Sequence, residues 1–161
     1  MWRSIAIFLA GLVLGTGAGV ALGFFFFPFV FPPPPSADVL TAEESARPVA
    51  AGTFIHANPS DPVHYGKGGV TVYERTVFLQ PDFEVGPGPA FHVYLVPKAG
   101  IRTSSDVPDT MFVDLGRLRS FKGSQKYAIP AGLDLAKYPS VVIWCERFGV
   151  LISPADLKPK S

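Results

Sequence analysis

The chain carries one thiol, Cys145, and three imidazoles, His56, His64 and His92, among its 161 residues. These are the side chains that attack disulfides, move protons or hold soft metals near neutral pH. Cys145 closes the apolar run SVVIWC, and Glu146 and Arg147 follow it. In an extended strand Val141, Ile143, Cys145 and Arg147 share one side, and Val142, Trp144, Glu146 and Phe148 share the other. A guanidinium beside the sulfur would favour the thiolate and make it reactive. Burial in the aliphatic row would instead make it a small apolar packing group. Strand position alone leaves both readings open.

His92 opens HVYLV, where alternation puts it on a face with Tyr94 and Val96. That position suits a ligand or proton-transfer group, and equally a structural histidine at a sheet rim. His64 lies in the glycine-rich loop PVHYGKGG, and loops on rigid scaffolds often carry binding groups. Cys145 is therefore the candidate redox residue, and His92 and His64 are the candidates for cofactor binding. No cofactor is specified by the residues. Cys145, His92, His64 and Met111 together have the donor types of an electron-transfer copper site. Such sites cluster several ligands on one short loop, and no histidine follows Cys145, so no metal is assigned. HExxH, CxxC, CxxCH, G-x-S-x-G and P-loop motifs are all lacking.

The elements that must position these groups begin with an apolar N-terminus. No charged residue occurs from Ser4 to Ala37, and the stretch 5–27 exceeds the ~20 residues a bilayer core requires. A cleaved signal peptide is the competing reading. However, a signal core usually spans ~7–15 residues, and this run continues further without an A-x-A site, so an uncleaved anchor is expected. No cysteine at its end supports a lipid anchor. Arg3 precedes the span, whereas Asp38, Glu43 and Glu44 are the first charges after it. The positive-inside rule then leaves residues 1–4 in the cytoplasm and the C-terminal domain in an extracytoplasmic space, periplasmic or extracellular. Gly11, Gly15, Gly19 and Gly23 form a groove on one helix face, suited to self-association or packing on another membrane helix. A formal net charge of +1 with scattered Lys and Arg gives no reason to expect nucleic acid as a partner.

Pro28 and the run Pro32 to Pro35 cannot continue a helix and favour an extended spacer, so 28–48 reads as a proline-rich linker. Within it TAEES has the pattern of a helix cap, which predicts a short turn over Thr41 to Ala46. From about residue 49 to 158 short β-type runs alternate with turn signals such as NPSDP, GKGG, VGPGP and PAGLD. Strands are expected near 51–56, 69–73, 76–79, 91–96, 111–115, 126–129, 141–145 and 150–153. The fold class is all-β: an antiparallel sandwich or barrel-like domain of about eight strands, preceded by one transmembrane helix. A single cysteine in an oxidising compartment points towards ligation, intermolecular pairing or redox chemistry.

The domain also resembles a known family. Leu115-Gly116-x-Leu118, Gly123-x-Gln125-x-Tyr127-x-x-Pro130, Leu133-Asp134, Tyr138-x-Ser140-Val141, Ile143-Trp144-Cys145-x-x-Phe148 and Ala155-x-Leu157 together resemble the DM13 pattern. The likeness covers Gly52 to Leu157. With the N-terminal anchor, the whole is similar to a single-pass, bacterial-type member. The resemblance implies a β-rich extracytoplasmic domain proposed to act in redox or electron transfer, with the cysteine of the Trp-Cys motif, here Cys145, as its redox residue. His92-Val93-Tyr94-Leu95 matches the family's other recognisable strand. Where the family commonly has an acidic residue after Gly-Pro, this chain has Ala90, so a role for that carboxylate does not carry over. The expected function is a membrane-anchored redox module centred on Cys145 and acting with a partner protein. The alternative is a non-catalytic binding or adhesion module in which the cysteine is structural.

Overall fold

The computed structural model describes residues 2–107 and 111–160. Helix α1, Trp2–Val30, has 29 residues and buries none of them. At 1.5 Å per residue it is roughly 44 Å long, and it is long and apolar enough to cross a membrane. It runs through Pro28, where the sequence suggested a break. A proline this close to the helix end forfeits one backbone bond, and the next turn still forms, with the Phe31 N–H reaching the Phe27 carbonyl at 2.8 Å. The helix and the β domain are separate compact units that divide between Pro32 and Pro33.

The β domain contains β1 Ser36–Ala37, β2 Pro48–Thr53, β3 Gly66–Lys67, β4 Gly69–Tyr73, β5 Thr76–Leu79, β6 Glu84–Val85, β7 Phe91–Val96, β8 Val113–Arg117, β9 Gly123–Ala128, β10 Ser140–Cys145 and β11 Val150–Pro159. Nine of them form one curled sheet, a half-barrel, in the order β1-β9-β5-β4-β2-β11-β10-β7-β8, and β3 and β6 pair separately. All pairs are antiparallel except β1 with β9. The mostly β expectation holds, with eleven strands among the described residues in place of about eight. The three unanticipated ones, β1, β3 and β6, are two residues each, too short for alternation to reveal.

The strands that read as half-apolar bury one face in the concave side. Val72, Leu79, Val93, Ile143 and Ile152 meet there with Phe83 in the main core. A second core lies on the opposite side of β7, β10 and β11, where Tyr94, Val96, Val142 and Leu151 are covered by Ile101 and Val107 of the connection after β7. The β7–β10 pair is thus buried on both faces. This explains its nearly unbroken apolar sequence.

The loop from β8 to β9 is tied down by Gln125, whose side chain is wholly buried. Its Oε1 accepts the N–H groups of Arg119 at 3.0 Å and Ser120 at 3.1 Å and the Tyr127 hydroxyl at 2.8 Å, while its Nε2 donates to the Ser120 carbonyl at 2.8 Å. A buried amide is stable only when its donors and acceptors are paired. Here the pairing fixes the return of the chain.

Residues 33–47 lie along β9 as a strap. Ser36 pairs with Gly123, a glycine at φ +85 where an added Cβ would strike the Ser36 carbonyl. Asp38 forms an ion pair with Arg119, and it accepts the Lys126 N–H at 2.9 Å. The short helix α2, Ala42–Ser45, carries the Thr41–Glu44 capping box that TAEES predicts. The Glu44 carboxylate also receives Lys126 Nζ at 3.0 Å.

Two outcomes follow. Gln125→Ala strands the polar groups it now pairs, and is expected to cost about 2–4 kcal/mol. Urea denaturation of the detergent-solubilised chain measures this; a cost under about 1 kcal/mol would remove Gln125 from that role. The strap is expected to loosen in acid. The Arg119 partner lowers Asp38, and the Thr41 N–H, followed by Lys126, lowers Glu44. Their support is therefore complete above the ordinary carboxylate pKa of about 4 and is lost as pH falls through the lowered values. Hydrogen exchange at residues 36–46 reads this directly, and pH-independent exchange protection would contradict it.

Candidate functional site

Cys145 ends β10 directly opposite Phe91 of β7 and Val150 of β11. Its neighbours in the row, Val141 and Ile143, point into the main core with it. The thiol is 1% exposed and donates to the Pro89 carbonyl at 3.2 Å. Burial pushes its pKa above the ordinary thiol value, against the partial opposition of the backbone N–H groups of Phe148 and Arg147. Of the two readings that strand position left open, the shift follows burial and not the Arg147 guanidinium. The strand ends at Cys145 and turns, so Arg147 no longer continues the row, and desolvation outweighs what its backbone contributes. The sulfur is held as a neutral thiol.

The segment Gly86–Ala90 forms the cover. Pro89 supplies the carbonyl on the sulfur, and the Ala90 carbonyl accepts the Glu146 N–H at 3.1 Å. Ala90 sits at φ +52, a conformation costing roughly 1–2 kcal/mol for a residue with a Cβ. Gly86 packs so closely that an added Cβ would strike the Val63 carbonyl, and its N–H donates to the Tyr65 carbonyl at 3.1 Å. The cover therefore rests on the loop holding His64.

His64 is engaged within that loop. Its Nδ1 lies 2.6 Å from Asp61 Oδ2, and this contact, with the N–H groups of His64 and Val63, lowers Asp61 to about 2. His56 Nε2 meets the Asp61 carbonyl at 2.7 Å. Both rings brace one turn. No hydrogen bond or ion pair among the described residues joins His64 to Cys145 or His92.

His92 is paired in register with Trp144, one residue from Cys145, so the imidazole and the sulfur lie on opposite faces of the sheet. On that outer face Nδ1 is 3.0 Å from Asp114 Oδ2 and Nε2 is 3.2 Å from Glu146 Oε2. The Tyr94 hydroxyl donates to Glu146 Oε1 at 2.9 Å, and its ring stacks on Phe112 with centroids 4.4 Å apart. Burial, then the bond to Glu146, raises Tyr94 well above its ordinary value, so it remains a donor. Asp114 and Glu146 were not anticipated as site residues. The alternation that put Glu146 opposite Cys145 was the available signal, since it placed that carboxylate on the His92 face. Met111 is exposed and joins neither group.

A half-barrel with one covered thiol and a separate histidine–carboxylate cluster defines a small β module carrying two potential reactive groups. The family model described as Electron transfer DM13 matches residues 59–157. The chain belongs to the DM13 family. No curated protein and no solved structure matches it.

The cover makes a direct prediction. Alkylation of Cys145 is expected to be slow at neutral pH and to keep accelerating above the ordinary thiol pKa of about 8.5. Gly86→Ala should dislodge the cover and raise the rate at least ~10-fold. Mass-spectrometric counting of labelled Cys145 over time tests both, and fast labelling of the unmodified protein would refute the cover.

Proposed function

We propose that this protein is a membrane-anchored electron-transfer module whose β domain lies on the extracytoplasmic side and whose redox group is Cys145. The observation that carries the reading is the family match together with the position of the sole thiol. The cysteine lies at the edge of the main core with one polar partner, the Pro89 carbonyl, in the short segment 86–90 whose Ala90 has a left-handed backbone. The charge asymmetry around α1 supports the orientation. The groove of Gly11, Gly15, Gly19 and Gly23 provides a surface for a second helix, and His92 and His64 stand as separate imidazoles beyond the thiol's reach.

The chemistry suited to such a group is exchange with a disulfide of a partner protein. After the 86–90 cover opens, Cys145 loses its proton and its thiolate attacks one partner sulfur. A mixed disulfide forms, the partner S–S bond breaks, and the departing sulfur leaves as a thiolate that takes up the proton. The elevated pKa keeps the resting thiol protonated and slow, which protects it from unselective oxidation.

A second reading has its own support. At 1% exposure the sulfur also fits a structural role in a binding module. One comparison separates the two. Cys145→Ser and Cys145→Ala variants, expressed with the anchor in native membranes, are compared with the unmodified chain after acid quenching and thiol blocking. A reducible adduct on Cys145, absent from both variants, is expected. Absence of any adduct under quenching, with folding unchanged in both variants, favours the structural role.

A further inference from the structure

We propose that His92, Asp114 and Glu146 form a binding site for a divalent transition-metal ion, on the face of the sheet opposite Cys145 and independent of the thiol. Each residue offers one ligand atom, and those atoms lie within 4.8 Å of one another. The three come from β7, β8 and the turn after β10, so the fold converges them from separate elements.

Both carboxylates are oriented from behind. The Gly116 N–H holds Asp114 Oδ1 at 2.8 Å, and the Tyr94 hydroxyl holds Glu146 Oε1 at 2.9 Å. Asp114 meets His92 Nδ1 through both Oδ1 at 3.1 Å and Oδ2 at 3.0 Å, and Glu146 Oε2 lies 3.2 Å from the other ring nitrogen, Nε2. Donors that fix a ligand's second atom are the usual supporting shell of a metal centre. Charge is also unevenly supplied. Asp38 is paired with Arg119, Glu84 with Lys67 and Lys122, and Asp156 with Arg102. Among the described residues, Asp114 and Glu146 make ion pairs with His92 alone. A neutral imidazole can donate to only one of them, and even an imidazolium leaves the cluster net negative. A dication bound through one ring nitrogen and the two carboxylates corrects both shortages.

Neighbouring ligands about 2.1 Å from a metal lie about 3 Å apart, so the atoms must close from within 4.8 Å, and one carboxylate must swing from its own ring nitrogen to the one that takes the ion. Asp114 and Glu146 are 37% and 44% exposed at the side chain and His92 17%, so the carboxylates have the room to make that adjustment while each keeps its hydrogen bond to Gly116 or Tyr94. One nitrogen with two carboxylate oxygens suits ions of the Mn²⁺ to Zn²⁺ class better than Ca²⁺ or Mg²⁺, which favour all-oxygen sets.

The test is calorimetric titration of the untagged, detergent-solubilised full chain with Zn²⁺, and EPR titration with Mn²⁺. Saturable binding of one ion per chain is expected, weakened at least ~10-fold in His92→Gln and Glu146→Gln and unchanged in Cys145→Ser. Glu146→Gln keeps an acceptor for Tyr94, so it decides the matter if His92→Gln misfolds. Failure to saturate below ~1 mM, a dissociation constant corresponding to only about −4 kcal/mol, overturns the site. So does binding that Glu146→Gln leaves intact, or that Cys145→Ser abolishes. The Cys145→Ser arm separates this site from the redox reading, because loss of either leaves the other standing.

Discussion

The interaction on which the placement of Cys145 and His92 depends is the hydrogen bonding of the buried Gln125 amide. A curled sheet must return its chain from one edge, β8, to the far strand β9, and the connection is only the residues 118–122. Only Lys122 makes a β-bridge there, with Glu84, so most N–H and C=O groups of the connection need partners outside the strands. Gln125 supplies three such partners from a single side chain. The same loop lets the Leu118 N–H reach the Phe91 carbonyl at 2.7 Å. That bond seats the start of β7, the point from which Phe91 faces the thiol and His92 faces the carboxylates.

The β7–β10 pair then does two different things on its two faces. Inward, Cys145 and Phe91 face the main core, and desolvation governs the sulfur. Outward, His92 and Tyr94 stand at the rim of the smaller core, where the Asp114 and Glu146 side chains are partly exposed to solvent. Opposite faces of one strand pair differ here in dielectric as well as in composition. The thiol and the histidine–carboxylate cluster therefore sit one residue apart in register on opposite faces, and the carboxylate of Glu146 adds a smaller push upward on Cys145 beyond that of burial.

The eight longer strands were legible because alternation or an apolar run marks them, as in FHVYLV and SVVIWC. The strap was not. Ser36–Ala37 has no pattern of its own, and what holds it is a set of contacts with residues more than eighty positions away, such as Asp38 with Lys126. Pro28 read as a stop because interior prolines cost a helix several kcal/mol, but near an end the loss is confined to one bond. At the site, Cys145 could be singled out from its uniqueness and His92 from its strand face. Extending alternation to Arg147 does not hold because a turn begins after Cys145. Asp114 escaped notice because a lone aspartate in VDLG carries no signal until β8 is placed beside β7.

The two faces are joined at Glu146. Its N–H holds the cover through the Ala90 carbonyl, and its carboxylate is bound to His92 and Tyr94. Lifting the cover from the sulfur requires breaking the first of these bonds, whose donor is immobilised by the others. The cover is therefore strained at Ala90, where the backbone is left-handed, and anchored at Glu146, where it is braced from the far side of the sheet. Strain of roughly 1–2 kcal/mol is comparable to the ~1 kcal/mol net worth of one hydrogen bond, so neither term dominates. The segment is also held by the bonds of Pro89 to the sulfur and Gly86 to Tyr65, and whatever tightens or loosens the cluster around Glu146 alters that hold from the far side of the sheet.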